Sequence, residues 1–222
     1  MTTTLVALAV VMAVVIGWLL RQTLGTRPWA DPRTMAAGDP SVAGLPMPSI
    51  KIGLAVFMTV ATSLFALSIS AYLMRREGAD WRPVAQPLVL WFNTAMLGLG
   101  SVCFEWANRS ARAGRAGGVT RGLLAGGACT LLFLAGQYGA WRSLEAAGYY
   151  VTSNPAASFF YFLTALHALH LLGGLWVWGT TLVRVRRGAA VRDIRLSVEL
   201  CTAYWHFLLV VWLVLFGLLL FT

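Results

Sequence analysis

Two stretches near the carboxyl end of this 222-residue chain decide its fold: residues 157–174, ASFFYFLTALHALHLLGG, and residues 204–216, YWHFLLVVWLVLF. Neither stretch contains Asp, Glu, Lys or Arg. An uncharged apolar run of about 20 residues is long enough to cross a bilayer as a helix. Both stretches are therefore predicted to lie within transmembrane helices.

The composition of the whole chain indicates the same class. Hydrophobic residues make up 59% of the sequence and charged residues only 11%, whereas soluble domains average about 25% charged residues. So little charge excludes an ordinary soluble protein, and so much apolar surface excludes a disordered one. The net charge of +9 comes from basic residues between apolar runs, so it does not indicate nucleic-acid binding. The three cysteines form no spaced set, and no disulfide framework is predicted.

Six apolar runs are long enough to span a membrane, and they predict an all-α, polytopic bundle of six transmembrane helices. The first run lacks a basic leader and a small-residue cleavage site, so it is interpreted as a retained helix. Residues 1–50 are predicted to hold this helix and a proline-containing cytoplasmic linker, and residues 51–222 a five-helix bundle. The predicted spans are residues 4–20, 52–74, 87–107, 122–141, 157–183 and 199–221.

The distribution of basic residues predicts the orientation of the bundle. The first, third and fifth connections between spans hold 13 of the 17 Lys and Arg residues. Because cytoplasmic loops carry an excess of these residues, the three connections are placed in the cytoplasm and both termini on the outer, periplasmic side. The predicted location is a bacterial-type plasma (inner) membrane, crossed several times.

Titratable groups within a span are costly, so each is a candidate for a specific contact or function. His167 and His170 lie one turn apart on the fifth span, and His206 lies near the middle of the sixth. Since consecutive helices usually neighbour each other, three imidazoles at one depth could hold zinc or copper. The alternative is hydrogen bonding of neutral imidazoles between helices, to lipid or to water. It is favoured because no cysteine or carboxylate is placed beside them.

Two carboxylates are predicted near the cytoplasmic boundary. Glu105 and Glu199 each have an arginine four residues away, Arg109 and Arg195, a spacing that favours ion pairs on a helix. The functional alternative is that one carboxylate faces a partner or a proton entrance. Uncharged hydrogen-bonding groups within the spans are expected to bond between helices. They are Asn93, Thr94 and Gln137.

The two opening stretches resemble the last two helices of the cytochrome c oxidase subunit III family of haem-copper oxidases. That family has a Thr-x-x-His-x-x-His element in its penultimate helix. Its last helix has a Tyr-Trp-His-Phe element, followed by an apolar run with a tryptophan. The matching residues are Thr164, His167, His170, Tyr204, Trp205, His206, Phe207 and Trp212. Glu199 matches an acidic residue before the second element, Asn93 and Gln137 stand where the family commonly has them, and the resemblance covers residues 51–222.

Some positions depart from the family pattern. Val60 and Ala61 stand where the family often has a Ser-Glu pair. Leu209 stands in place of an aspartate, and Glu105 in place of a histidine. The loss of two intramembrane acids weakens the expectation that this chain itself relays protons. Longer members carry two helices before the five-helix bundle, and this chain has one.

The resemblance implies a non-catalytic subunit III of a respiratory haem-copper oxidase. The subunit would stabilise the catalytic subunit I and support its proton uptake while the complex reduces oxygen with electrons from cytochrome c. The expected partners are subunits I and II and membrane lipids, including a structural phospholipid. The haems and copper are expected in the partner subunits, because three histidines are too few to ligate two haems and a copper. No catalytic or metal-binding residue is assigned in this chain. The residues assigned to lipid, partner or interhelical polar contacts are His167, His170, His206, Glu105, Glu199, Tyr204, Trp205, Asn93 and Gln137.

Three alternatives stay open on the sequence. The same fold could accompany a nitric-oxide reductase. A small membrane transporter would need helices broken at mid-membrane and an internal repeat, neither of which is evident. A membrane enzyme built on the three histidines would bind metal in the isolated chain.

Overall fold

The computed structural model describes residues 49–84 and 87–221, which fold into α-helices joined by turns, with no strand among them. The predicted span at residues 4–20 and nearly all of the linker lie outside the described residues. Each of the other five predicted spans coincides with one helix, which confirms the all-α prediction for the described part. The helices are α1 (Ser49–Arg75), α2 (Val89–Arg112), α3 (Ala116–Ala146), α4 (Pro155–Arg186) and α5 (Val191–Leu220).

Four of the five described helices, α1, α3, α4 and α5, are long and apolar enough to cross a membrane. The chain is therefore a multi-pass membrane protein. Helix α2 has 24 residues, a length of about 36 Å at 1.5 Å per residue. It is not among the four because polar residues such as Asn93, Glu105 and Asn108 lower its hydropathy.

The helices extend further than the apolar runs predicted. The connection predicted at residues 108–121 is reduced to a turn at residues 113–115, and that predicted at residues 184–198 to residues 187–190. These predicted boundaries were wrong because hydropathy marks only where the apolar residues stop. Arginine and alanine are good helix formers, so the backbone hydrogen bonds continue past the apolar run.

Glycine in the left-handed conformation ends three of the described helices. Gly114, Gly148 and Gly188, with φ of 70°, 83° and 80°, follow α2, α3 and α4. After α2, the amide of Arg115 donates to the carbonyl of Ser110 at 2.9 Å, and the same pairing follows α3 and α4. This is the Schellman motif, which satisfies carbonyls at the helix end and reverses the chain within a few residues.

Helix α2 packs against α3 and α5, and α4 packs against the same two helices. Glycines on α3 allow close approach: a Cβ at Gly122 would lie 2.8 Å from the Cβ of Ala107, and one at Gly126 would lie 2.7 Å from the ring of Phe104. Small residues four positions apart are typical of close helix contacts in membranes. Aromatic residues supply the largest side chains of the core between these helices. The largest that are fully buried are Trp205, Trp212, Phe104, Phe133 and Phe207.

Candidate functional site

The candidate site is the set of polar contacts between α2, α3, α4 and α5. Two of them start from α5, where the indole N–H of Trp205 donates to Thr130 Oγ1 in α3 at 2.8 Å. The indole N–H of Trp212 donates to Thr94 Oγ1 in α2 at 3.0 Å. Each threonine in turn donates its hydroxyl to the carbonyl one turn earlier in its own helix, at 2.9 Å. Each hydroxyl thus both donates and accepts, and no polar hydrogen of these pairs is left unpaired in the core.

Two further tryptophans join α3 to α4. The indole N–H of Trp141 donates to Thr164 Oγ1 at 3.0 Å, and that of Trp178 donates to the carbonyl of Leu123 at 2.8 Å. The indole of Trp178 occupies the space that a side chain at Gly127 would take. This glycine therefore lets a large aromatic ring lie directly on the backbone of α3.

His167 is fully buried between α3, α4 and α5. Its Nε2 lies 3.1 Å from the carbonyl oxygen of Leu208, and its ring packs against Phe133 and Trp212, with centroids 5.6 and 5.2 Å away. Because a carbonyl can only accept, Nε2 carries the proton. Nδ1 has no hydrogen-bond partner among the described residues.

His170 points to a different neighbour. Its Nδ1 donates to the carbonyl of Leu166 in the same helix at 2.8 Å, and its ring lies 5.1 Å from that of Phe65 in α1. The hydroxyl of Tyr204 donates to the backbone carbonyl of His170 at 3.0 Å. This segment of α4 is therefore in contact with both α1 and α5.

His206, on α5, faces α2. Its Nδ1 is hydrogen-bonded to the hydroxyl of Ser101, and its Nε2 lies 3.6 Å from Glu105 Oε2. Arg109 donates from Nε to Glu105 Oε1 at 2.9 Å, which is the ion pair that their spacing predicts. The other predicted carboxylate, Glu199, is half-buried on α5.

The three histidines thus contact three different neighbours. Among residues 49–84 and 87–221, no three His, Cys, Asp or Glu side chains come together in a group that could hold a metal ion. Each of the three imidazoles has a hydrogen bond within the bundle.

Asn93 and Gln137 form a buried amide pair between α2 and α3. Asn93 Nδ2 donates to Gln137 Oε1 at 3.3 Å. Asn93 Oδ1 lies against the backbone at Gly136, in the space that a side chain there would fill. The sequence predicts interhelical bonding for each of them, and the structure pairs the two amides with each other.

A cavity of about 800 Å³ opens at the other end of the bundle, where α1 ends and α4 begins. Arg75 donates to Asp80 at 2.7 Å in its wall, and this hydrogen bond lowers the pKa of Asp80 below its ordinary value. Asn154 caps α4 by accepting from the amide of Ala157 at 2.9 Å. The lining residues are Ala71, Met74, Arg75, Asp80, Thr152, Ser153, Asn154, Pro155, Ser158 and Phe159.

Sequence reasoning missed three residues that form interhelical hydrogen bonds: Ser101, Thr130 and Thr202. Thr202, on α5, donates its hydroxyl to the carbonyl of Phe104 in α2 at 3.1 Å. Isolated hydroxyl residues in apolar runs are the available signal. Their partners depend on the register between packed helices, which the sequence does not state.

The fold and these contacts define a class: a multi-pass helical membrane protein whose intramembrane polar groups mainly join its own helices. Comparison with known proteins identifies the family. The sequence profile of the family described as cytochrome c oxidase subunit III matches residues 2–221. The chain belongs to the cytochrome c oxidase subunit III family.

Individual relatives carry the same description. Cytochrome c oxidase subunit 3 from Synechocystis sp. is 32% identical over 170 residues, covering 74% of this chain and 72% of the relative. The subunit 3 from Thermostichus vulcanus is 28% identical over 173 residues, with 76% and 85% covered. That from Corynebacterium diphtheriae is 28% identical over 191 residues, with 81% and 92% covered.

The structure shows what the Tyr-Trp-His-Phe element does in this chain. Four consecutive residues of α5 meet three different helices: Tyr204 bonds to α4, Trp205 to α3 and His206 to α2, while Phe207 is buried. One turn of α5 therefore connects the helices around it. This contact pattern accounts for polar aromatic residues at positions where lipid alone would favour aliphatic ones.

Proposed function

We propose that this chain is the non-catalytic subunit III of a respiratory haem-copper oxidase in the inner membrane. It stabilises catalytic subunit I and supports its proton uptake while the complex reduces oxygen with electrons from cytochrome c. The observation that carries the proposal is the family match over residues 2–221. The haems and copper belong to the partner subunits in this proposal, with subunits I and II and membrane lipids, among them a structural phospholipid, in contact with this chain.

The packing supports a structural role. Interhelical hydrogen bonds join the four helices α2, α3, α4 and α5. Large apolar side chains remain exposed on the outer faces of these helices, among them Trp91, Val102, Leu169 and Trp176. In a membrane such faces are covered by lipid chains or by the apolar surface of a partner. A bundle that is internally bonded and apolar outside suits a subunit that packs beside a larger catalytic chain.

The proposed topology has six spans, with α2 among them and both termini outside. Helix α2 is long enough to span, and its polar side chains Asn93, Ser101 and Asn108 are buried against neighbouring helices. Arginines cluster in and beside the turns after α2 and α4, with Arg112 and Arg115 at the first and Arg186 and Arg187 at the second, which supports placing these turns in the cytoplasm.

Purification through a tag on this chain in mild detergent tests the proposal. We expect a haem-copper catalytic subunit to co-purify, identified by haem spectra and by peptide mass spectrometry, together with oxygen-reducing activity driven by reduced cytochrome c. A haem-free preparation of this chain alone would overturn the assignment. Reduction of nitric oxide in place of oxygen would move the chain to the nitric-oxide reductase alternative.

The supporting role needs a separate measurement. An oxidase that lacks this chain should still reduce oxygen at first, but should lose activity over fewer turnovers and take up protons more slowly. Adding the purified chain back should restore both properties. Equal turnover lifetime and proton uptake with and without the chain would contradict the proposed role.

A further inference from the structure

The contact between α2 and α5 contains a linear series of polar groups that the structural role does not require. From the helix end inward these are Arg109, Glu105, His206 and Ser101. Their exposure falls along the series: the side chain of Arg109 is 74% exposed, those of Glu105 and His206 are 33% and 29% exposed, and Ser101 is buried. The series therefore leads from the aqueous end of α2 into the bundle.

We propose that Glu105, His206 and Ser101 form a proton-binding site, which takes up one proton from water at the Arg109 end of the α2–α5 contact. The proton comes from hydronium and stays on the His206 imidazole, opposite the Glu105 carboxylate.

The geometry permits both charge states without breaking a hydrogen bond. With a neutral imidazole, the Ser101 hydroxyl donates to Nδ1 and the Nε2–H faces Glu105. With a protonated imidazole, Nδ1–H donates to the Ser101 oxygen. The serine hydroxyl then turns to the carbonyl one turn earlier in α2, as Thr94 and Thr130 do in this bundle.

His167 shows the contrast. Its Nε2–H is already committed to the carbonyl of Leu208, and its Nδ1 has no hydrogen-bond partner among the described residues. A second proton there would add an unpaired buried donor and a charge with no counter-ion. His206 has an acceptor for each of its two N–H groups, and one of the acceptors is a carboxylate.

Two charged groups of α2 lie at the site, Glu105 and Arg109, and Asn108 Nδ2 also donates to Glu105 at 3.5 Å. From α4, the titratable side chains near α5 are His167 and His170. The His167 imidazole bonds to the carbonyl of Leu208, and the His170 imidazole to that of Leu166.

The contact that α3 makes with this turn of α5 is uncharged: the indole N–H of Trp205 donates to Thr130 Oγ1. On α5 itself, Glu199 lies seven residues before His206. The carboxylate that faces His206 is that of Glu105, with Oε2 3.6 Å from Nε2.

The test is a pH titration of the full chain in lipid nanodiscs, labelled with ¹⁵N-histidine and followed by solid-state NMR. The imidazole nitrogen shifts report protonation directly, and the His206 signals are identified by their loss in His206→Gln. We expect the His206 nitrogen shifts to show that both ring nitrogens carry a proton once the site is occupied. Glu105→Gln should weaken this proton binding by about tenfold or more, because it removes the facing negative charge.

Glu145→Gln is the matched control, since it removes a carboxylate that pairs with Arg142 at the other end of α3, and His206 should titrate as in the unmodified chain. Should Glu105→Gln fail to fold, Glu105→Asp withdraws the carboxylate by one methylene and should weaken proton binding in the same direction. The proposal is overturned if His206 stays unprotonated down to pH 5, or if it binds its proton equally well with and without the Glu105 carboxylate. This titration does not depend on the oxidase partners, so its outcome is independent of the co-purification experiment.

Discussion

At the residue scale, the chemistry of this bundle rests on side chains with an apolar body and one polar atom. Trp205 is buried, and its indole N–H donates a hydrogen bond to Thr130. Trp212 is also buried and donates in the same way to Thr94. Such residues add aromatic packing and one directed bond. In lipid, where packing and hydrogen bonds between helices replace the hydrophobic effect, both contributions matter.

Trp205→Phe tests that contribution. The variant removes the N–H donor and leaves a smaller ring, while Thr130 keeps its bond to its own helix. We expect the free energy of unfolding to fall by about 2 kcal/mol, of which about 1 kcal/mol is the hydrogen bond. Unfolding in mixed micelles with increasing dodecyl sulfate, followed by circular dichroism, measures the change.

The control is Trp176→Phe on α4, where the side chain is 78% exposed. It should change the unfolding free energy by less than about 0.5 kcal/mol. Equal losses in the two variants would show that the buried bond contributes nothing. A double-mutant cycle with Thr130→Val should return a coupling close to the hydrogen-bond term.

At the element scale, glycines have two separate uses. Gly114, Gly148 and Gly188 adopt the left-handed conformation that ends α2, α3 and α4. Gly122, Gly126 and others on α3 instead make room for side chains of neighbouring helices. The first use follows from backbone conformation and the second from packing, so the two predict different responses to substitution by alanine.

Gly114→Ala places a Cβ in the left-handed region. It should lower the free energy of unfolding by about 1 kcal/mol or more, because L-residues are strained there. Unfolding in mixed micelles with increasing dodecyl sulfate measures this change in free energy. Gly117→Ala, three residues later in a helix with open space around it, is the control and should be neutral or stabilising. If both variants behaved alike, the left-handed turn would not be the cause.

Gly127→Ala tests the close-packing use, because the added Cβ would overlap the indole of Trp178. We expect a loss of about 1–3 kcal/mol as the ring is displaced, with a change in tryptophan fluorescence. Gly139→Ala in the same helix has nothing within contact distance of the new Cβ and serves as the matched variant. An unchanged Trp178 environment in Gly127→Ala would contradict the packing argument.

At the scale of the whole molecule, the proposed orientation can be tested directly by labelling. In a chain whose own cysteines are replaced, Tyr150→Cys in the turn after α3 should react with a membrane-impermeant maleimide added outside intact cells. Arg115→Cys in the turn after α2 should react only after the membrane is opened, because arginine-rich turns stay in the cytoplasm. The opposite labelling pattern would invert the topology.

The sequence predicted the described helices well, because a run of about 20 apolar residues has few alternatives to a membrane helix. It also favoured the Glu105–Arg109 pair and interhelical bonding of Asn93 and Gln137, but it did not indicate that these two amides bond to each other. The predicted ends of the helices were wrong where arginines extend α2, α4 and α5. The predicted span at residues 4–20 stays a prediction, since it lies outside the described residues.

By itself, then, the sequence determined the membrane class, the positions of the helices and the family, each of which follows from local composition or from short motifs. Only the tertiary structure decided which polar groups meet. His167, His170 and His206 share a depth in the sequence-based picture, yet they face Leu208, Phe65 and Glu105. The physical reason is that α4 is apolar on all sides, so its pattern does not fix its rotation about its own axis. Packing of glycines and tryptophans against particular neighbours fixes that rotation, and with it the series of polar groups that we propose binds a proton.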